Sequence, residues 1–491
     1  MMHHLARYIL CGLMAVSGQS VLAAEQARFG AWTQIWPAMW RDGLPLKKTH
    51  ELKGAERMKW NFAVANLEQY AAKGFEWNLV VLRQGRDGPD NWARARAIVE
   101  AQRQLGIRTV FRLIEDPAIY LKPTSTLNLQ SGLLKAYVDW VAGVAREFSD
   151  EVQFYLISNE VDHDIGHNLL HYQRILPEYP HYLKLLNSAY DVIKKQNSRL
   201  QVVDHGVSAY SLGLAVADHI EKTQGLRAAY AFWRSYHFDR DKVAGNILGF
   251  MRILSREGSR RRIALVHASF RSGRTDYHQL HWYFGSEALP DVLDWIEAQK
   301  RIDGTAVRPL FAAELGYRMP VKKGQKWDGR PANVADYMHY SQQEHASSLI
   351  KNIALLLSRG VRDIQYWQVR VHHERDTSAQ LYLPTSQINL FKPTAALGAY
   401  SRLIALLKEP VEKAACTSRG GLKSCEIQTT GQTVRILWVS EGVDQFNITT
   451  ATKALYDYAG EPVALPDNGR LAVDKHPVIL VERIYVSAQL P

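Results

Sequence analysis

Cysteine is scarce: three in 491 residues. That excludes a disulfide-stapled mini-domain and any four-cysteine zinc site. No apolar run past the first residues is long enough to span a bilayer. Phosphate loops of the Walker type, the dinucleotide-binding glycine fingerprint and the Gly-x-Ser-x-Gly nucleophile turn are all missing. His372-His373-Glu374 lacks the i,i+4 spacing of a zinc-protease helix. Nothing in the sequence calls for a cofactor or a metal. The 60 Lys and Arg are scattered, so no basic block points to nucleic acid. Disorder is excluded as well, because 46% of residues are hydrophobic and only 22% charged.

What is present begins with an export signature. His3, His4 and Arg7 open the chain, Tyr8–Val16 is a stretch of nine apolar residues, and Val21-Leu22-Ala23-Ala24 offers small residues for cleavage. Residues 1–24 are expected to be a signal peptide, giving a periplasmic or secreted protein with no membrane insertion after cleavage. Cys11 lies within that stretch, behind Ile9-Leu10, and is a passenger. Cleavage removes Arg7 and no acid, so the net charge of +11 becomes +10. A cationic exported protein suits an acidic polysaccharide or an anionic envelope surface, although solubility alone accounts for it equally well. Cys416 and Cys425 remain, separated by the turn-like Thr417-Ser418-Arg419-Gly420-Gly421. In an oxidising compartment they are expected to close a disulfide.

From Arg28 to about Leu407, short apolar runs alternate with amphipathic helices. Leu134, Tyr137, Val138, Val141, Ala145 and Phe148 share one helical face, as do Tyr182, Leu185, Leu186, Ala189 and Ile193. Buried parallel strands are expected at Gly30–Trp36, Asn78–Arg83, Thr109–Ile114, Gln153–Ser158, Gln201–Asp204, Leu280–Phe284, Leu310–Ala313 and Ile364–Val369. Tyr236-His237-Phe238 and Ile263–Val266 compete for sixth place. Eight such units predict an α/β fold, a (β/α)8 TIM barrel over 25–408. A doubly wound open sheet is the rival and would lack closure between first and last strands. Over 409–491 the pattern changes. Thr433–Val439, Phe446–Thr449 and Val478–Val481 are strand-like and Asn468-Gly469 is a turn signal, predicting a small antiparallel, sandwich-like β domain.

Chemistry concentrates at two strand ends. Asn159-Glu160-Val161-Asp162 follows the fourth strand and Glu314-Leu315-Gly316-Tyr317 the seventh, 154 residues later. The C-terminal ends of barrel strands form the catalytic face, and strands four and seven lie roughly across it. Two carboxyls so placed suit glycoside hydrolysis. They stand about 5–5.5 Å apart for retention and about 6.5–9.5 Å apart for inversion, where a water must fit between. Asn159 is placed to bind a sugar 2-hydroxyl.

Ser158-Asn159-Glu160-Val161-Asp162 resembles the acid/base motif of clan A glycoside hydrolases, with Val161 where those enzymes usually have Pro. Ala313-Glu314-Leu315-Gly316-Tyr317 resembles their nucleophile motif. His281-Trp282-Tyr283 is similar to the element that supports the nucleophile there, and Trp367 fits their aromatic floor. The likeness is strongest to family 39 and related bacterial exopolysaccharide glycosidases. It implies Glu160 as acid/base and Glu314 as nucleophile of a retaining β-glycoside hydrolase.

Further candidates come from position alone. Arg83 ends the second strand and is expected to bind the nucleophile carboxylate. His281 and Tyr283 flank Trp282, so alternate side chains face the mouth, and Tyr283 is expected to donate to Glu314. His205 ends the fifth strand and is expected to line the site. Trp36, Trp40 and Trp367 suit stacking on sugar rings, with core packing as the alternative. His163, His167 and His171 repeat every four residues but sit in a loop beside the sugar site. The expected partner is a polysaccharide or oligosaccharide, with an envelope or biofilm exopolysaccharide favoured. The rival from another class is a non-catalytic carbohydrate-binding or scaffold protein of a polysaccharide export system.

Overall fold

Eight short runs between Arg28 and Tyr366 assemble into one parallel sheet: β1 (Arg28–Ala31), β2 (Trp77–Arg83), β3 (Arg108–Ile114), β4 (Phe154–Ile157), β5 (Gln201–Val203), β6 (His278–Trp282), β7 (Leu310–Leu315) and β8 (Asp363–Tyr366). The computed structural model describes residues 25–31, 67–116 (save 86, 90 and 91), 119, 131–162, 179–236, 246–316, 334–367, 382–384 and 391–484. The strand order is β5-β4-β3-β2-β1-β8-β7-β6. β1 pairs with β8 over four residues, Arg28 with Asp363 through Ala31 with Tyr366. Parallel bridges from Val203 to Tyr277 and from Val207 to Leu280 join the two remaining edges. The sheet therefore closes, which an open doubly wound sheet cannot do.

The sixth strand is two residues earlier than the sequence suggests. Ile263–Val266, its competitor, belongs to the helix Glu257–Ser272. Leu280–Phe284 wins because β6 is buried throughout. It carries Leu280 and Trp282 outward under the helix layer, where Trp282 meets Tyr236 and Phe284 edge-on.

Two side-chain sets hold the barrel. Trp77, Leu79, Val81, Val110, Phe154, Leu156, Val203, Phe311 and Ala313 point inward and fill it. The alternate residues point outward against the helices. Over Ser131–Phe148 and Tyr179–Gln196 the predicted faces are buried, with Val138 partly so. Each such aliphatic or aromatic side chain contributes about 1.5–3 kcal/mol on burial. At the N-terminal end of the barrel Arg28 makes a two-pronged ion pair with Asp363, at 2.5 and 2.6 Å. The same guanidinium lies against the Trp77 and Phe154 rings.

From Val411 onward the structure is antiparallel β. After a short pair, β9 (Tyr382–Pro384) with β10 (Phe391–Pro393), a six-stranded sheet runs β11 (Val411–Arg419), β12 (Leu422–Thr429), β13 (Gln432–Val439), β18 (Val478–Arg483), β15 (Thr452–Tyr456) and β16 (Pro462–Val463), and β14 (Asp444–Asn447) pairs with β17 (Arg470–Val473). β13 (Gln432–Val439) reads almost continuously apolar because both its faces are covered. Val434, Ile436 and Trp438 join the main core, while Leu437 packs with Leu455, Leu471, Val473 and Leu480. β11 (Val411–Arg419) and β12 (Leu422–Thr429) form a hairpin whose two turn residues, Gly420 and Gly421, have φ of 60° and 94°. Two-residue hairpins favour such turns, and glycine adopts them without a steric penalty. The register sets Cys416 opposite Cys425, and the two are joined by a disulfide. Asn468-Gly469 forms a turn leading into β17 (Arg470–Val473). Among the described residues no helix is long and apolar enough to cross a membrane. The expected signal peptide, Trp36, Trp40 and the His163, His167, His171 series lie outside the described residues.

Candidate active site

The chain turns sharply where β4 ends. Ser158 (φ 69°) and Glu160 (φ 41°) are left-handed, the only non-glycine residues so among those described. Such conformations cost about 1–3 kcal/mol each and persist only where surroundings fix them. Here the surroundings are specific. Ser158 N donates to Leu113 O at 2.8 Å and its hydroxyl donates to Glu115 Oε1 at 2.6 Å. Glu160 N donates to His205 O at 2.8 Å. Asp162, two residues on, accepts from Ser208 N. The turn directs Glu160 toward the barrel mouth, where its side chain remains 19% exposed.

A different device places Glu314. Ala312 lies opposite Ile364 and Leu315 opposite Tyr366, so Ala313 and Glu314 together oppose a single residue, Gln365. β6 shows the same count, with Gln279 opposite Phe311 and His281 opposite Glu314. This β-bulge turns Glu314 inward when strict alternation would have sent it to the helix side. Its carboxylate is buried. Arg112 Nη1 lies 2.6 Å from Oε1, and the Tyr283 hydroxyl donates to Oε2. Gly316 makes room for that phenol, since a Cβ there would lie 2.7 Å from the Tyr283 ring.

His281 sits between the two acids. Nδ1 is 2.8 Å from Glu160 Oε1 and 3.5 Å from Glu314 Oε2. Burial pulls its pKa down, but Glu314 and Glu160 outweigh that and leave it raised. Each of the three residues presents an atom within 4.8 Å of the others, the one such His, Cys, Asp or Glu cluster among the described residues. The set does not fit a cation. A permanent guanidinium charge already faces Glu314, and a phenol proton occupies its other oxygen.

The structure sorts the remaining candidates. Asn159 follows β4 with its Oδ1 buried and accepting no hydrogen bond from the described residues. Trp367 follows β8, half-buried against the barrel interior. Tyr283 and His281 both meet the acids, while Trp282 faces away. Two expectations are corrected. The guanidinium on Glu314 belongs to Arg112, not Arg83. Val81 pairs with Arg112 and Arg83 with Ile114, so Arg83 lies one inward-facing step higher and is exposed. His205 does not line the mouth. The chain leaves β5 at Val203, and the imidazole is buried outward between the Tyr182 ring, 4.2 Å away, and Ser269 Oγ at 3.1 Å. Burial lowers its pKa.

Sequence reasoning missed Arg112, Gln279 and the Glu115–Ser158 bond. A signal for Arg112 existed: a lone arginine inside the run Thr-Val-Phe-Arg-Leu-Ile must find a buried partner. Gln279 offered none beyond being a polar residue in a buried strand.

No family model matches the chain, and no curated protein matches it. Solved structures do. A family 39 glycoside hydrolase from the gut symbiont Bacteroides cellulosilyticus WH2 aligns over 94% of this chain and 81% of its own, with TM-score 0.55 and 14% identity. BuGH86wt, solved in complex with neoagarooctaose, aligns over 94% of this chain and 75% of its own, with TM-score 0.51 and 10% identity. At these identities the likeness is one of fold: this chain has the barrel-plus-β-domain architecture seen in a family 39 glycoside hydrolase.

Proposed function

We propose that this protein is an exported retaining β-glycoside hydrolase acting on a polysaccharide or oligosaccharide, with Glu160 as acid/base and Glu314 as nucleophile. One observation carries the proposal. Oxygens of Glu160 and Glu314 approach within 4.8 Å of each other across the mouth, at the C-terminal ends of β4 and β7. An oxygen–oxygen approach within 4.8 Å supports the roughly 5–5.5 Å carboxyl spacing of retaining enzymes over the roughly 6.5–9.5 Å of inverting ones.

The chemistry follows from the geometry. In the first step a Glu314 oxygen bonds to the anomeric carbon while the glycosidic C–O bond breaks, and the departing oxygen takes a proton from Glu160. In the second, Glu160 removes a proton from water, the water oxygen bonds to the anomeric carbon, and the Glu314 ester bond breaks. Arg112 and Tyr283 orient the attacking carboxylate and stabilise it again as leaving group. Asn159 Oδ1 is an open acceptor for a sugar hydroxyl beside the acid. The disulfide and the basic charge support an exported enzyme whose substrate is an envelope or biofilm exopolysaccharide.

The test is proton NMR of the first-formed anomer, using aryl β-glycosides and a panel of bacterial and plant polysaccharides. A β product supports retention. An α product refutes it. Binding without turnover across the panel would favour a carbohydrate-binding or scaffold protein instead.

A further inference from the structure

Gln279 lies on β6 two residues before His281, buried beneath the paired glutamates. Its amide nitrogen donates to the backbone carbonyl of Asp204, and its own backbone N–H donates to Asp204 Oδ1 at 2.8 Å. These bonds fix which way the amide faces. The reverse orientation would set oxygen against oxygen and an NH2 group against a guanidinium. Gln279 Oε1 thus meets two nitrogens, Arg112 Nη2 at 3.3 Å and His281 Nε2 at 3.1 Å. An amide oxygen only accepts, so the histidine nitrogen facing it carries a proton. Gly206 lies against the same nitrogen, where a Cβ would come within 2.2 Å, so no other side chain fits there.

We infer that Gln279 is a positioning residue that locks His281 in its Nε2–H form, so that Nδ1 and Glu160 share a single proton. The inference rests on the assignment of Glu160 as acid/base. With Nε2 committed, the 2.8 Å contact between Nδ1 and Glu160 Oε1 holds that proton in one of two places. Either Glu160 is protonated and donates to a neutral imidazole, or the imidazolium donates to a carboxylate. In the first chemical step the proton passes through Glu160 to the departing oxygen. Two acceptors are then left facing each other, an arrangement relieved when Glu160 takes a proton from water in the second step. Without the lock, His281 can place its only proton on Nδ1. It would then donate to the Glu160 carboxylate at every stage, strengthening Glu160 as an acid and weakening it as a base. Among the described residues, Glu160, Glu314 and Arg112 act on His281 from the site, the Tyr283 phenol shares Glu314 Oε2 with it, and His205 acts from behind without facing the mouth.

The experiment uses full-length protein carrying ring-15N histidine, with His281 assigned through His281→Asn. Wild type is expected to show Nε2 protonated and Nδ1 either unprotonated or part of an imidazolium. Gln279→Leu is expected to move neutral His281 to Nδ1–H and shift the basic limb of the kcat/KM profile about one unit lower. It should also reduce kcat about tenfold on an aryl glycoside whose second step is limiting. Gln279→Glu, similar in shape, keeps an acceptor toward His281 and, protonated on the oxygen that faces the Asp204 carbonyl, should restore the Nε2–H form. It also decides the matter if the leucine variant fails to fold. A neutral Nδ1–H form in wild type, or an unmoved tautomer and pH limb in Gln279→Leu, overturns the inference. Loss of Nε2–H in Gln279→Glu overturns it too. The tautomer is read without substrate, so failure of the glycosidase proposal would show separately, as absence of turnover.

Discussion

Arg112 on β3 and Glu314 on β7, 202 residues apart in sequence, meet inside the barrel with a nitrogen–oxygen distance of 2.6 Å, both side chains almost wholly buried. Neither charge has water to fall back on. Breaking such a pair from one side costs about 3–5 kcal/mol, because the remaining charge is stranded.

Arg112→Met should therefore lower stability by about that amount and reduce kcat/KM sharply. Chemical denaturation with circular dichroism measures the first effect. Adding Glu314→Gln, which removes the stranded charge, should recover most of the stability but none of the activity. Equal stability of the single and double variants would contradict this account of the pair.

Glu160→Gln and Glu314→Gln should each reduce turnover, the first by about 10²–10⁴-fold. Glu160→Ala should be rescued by azide on an aryl glycoside with an activated leaving group, giving a β-glycosyl azide. The small anion replaces water in the second step and needs no base. Near-normal activity in either glutamine variant would remove that residue from the mechanism.

His345 gives the fold a pH dependence of its own. It is buried against Tyr366, and burial pushes its pKa down to about 3. The unfolded chain takes up a proton near pH 6.5, whereas the folded one does not until about pH 3. Stability is then lost as pH falls through that window, at about 1.4 kcal/mol per unit for this group. His281, raised by Glu314 and Glu160, works in the opposite sense: its contribution is present below its unfolded pKa and fades as pH rises through the folded one. Melting temperature against pH should show a shallower acid slope for His345→Gln and a smaller alkaline loss for His281→Asn.

Opening the Cys416–Cys425 bridge should be a local event. The loop is short, and closing it is worth about 2–3 kcal/mol in the unfolded chain. Cys416→Ser/Cys425→Ser should lower stability by about that much or less, since the hairpin keeps its ladder and its two-glycine turn. The value of kcat should stay unchanged, because no described contact of the hairpin reaches Glu160, Glu314 or the side chains that hold them. A large loss of turnover would tie the β domain to the site.

Much was legible in the sequence because it was local. Period-two and period-3.6 patterns gave the eight strands and the buried helix faces. An acid a few residues beyond a buried apolar run is a local signal too, and it located Glu160. Tyr283 followed from alternation within a single strand. Glu314 was legible for a less secure reason: alternation alone would have turned it outward, and only the bulge in β7 brings it to the mouth.

Relations between strands were decided by tertiary structure. Arg83 and Arg112 share the inward face, so alternation cannot choose between them. The stagger of neighbouring strands chooses, setting Arg112 level with Glu314 and leaving Arg83 one step higher in solvent. His205 faces the helices because β5 stops at Val203, a boundary set by the bridges that close the barrel. Gln279 acquires its role from Asp204, Arg112 and His281 together. Hydrophobic periodicity records which side of a strand is buried. It carries no record of the shear between strands, and that shear decides which buried polar groups meet.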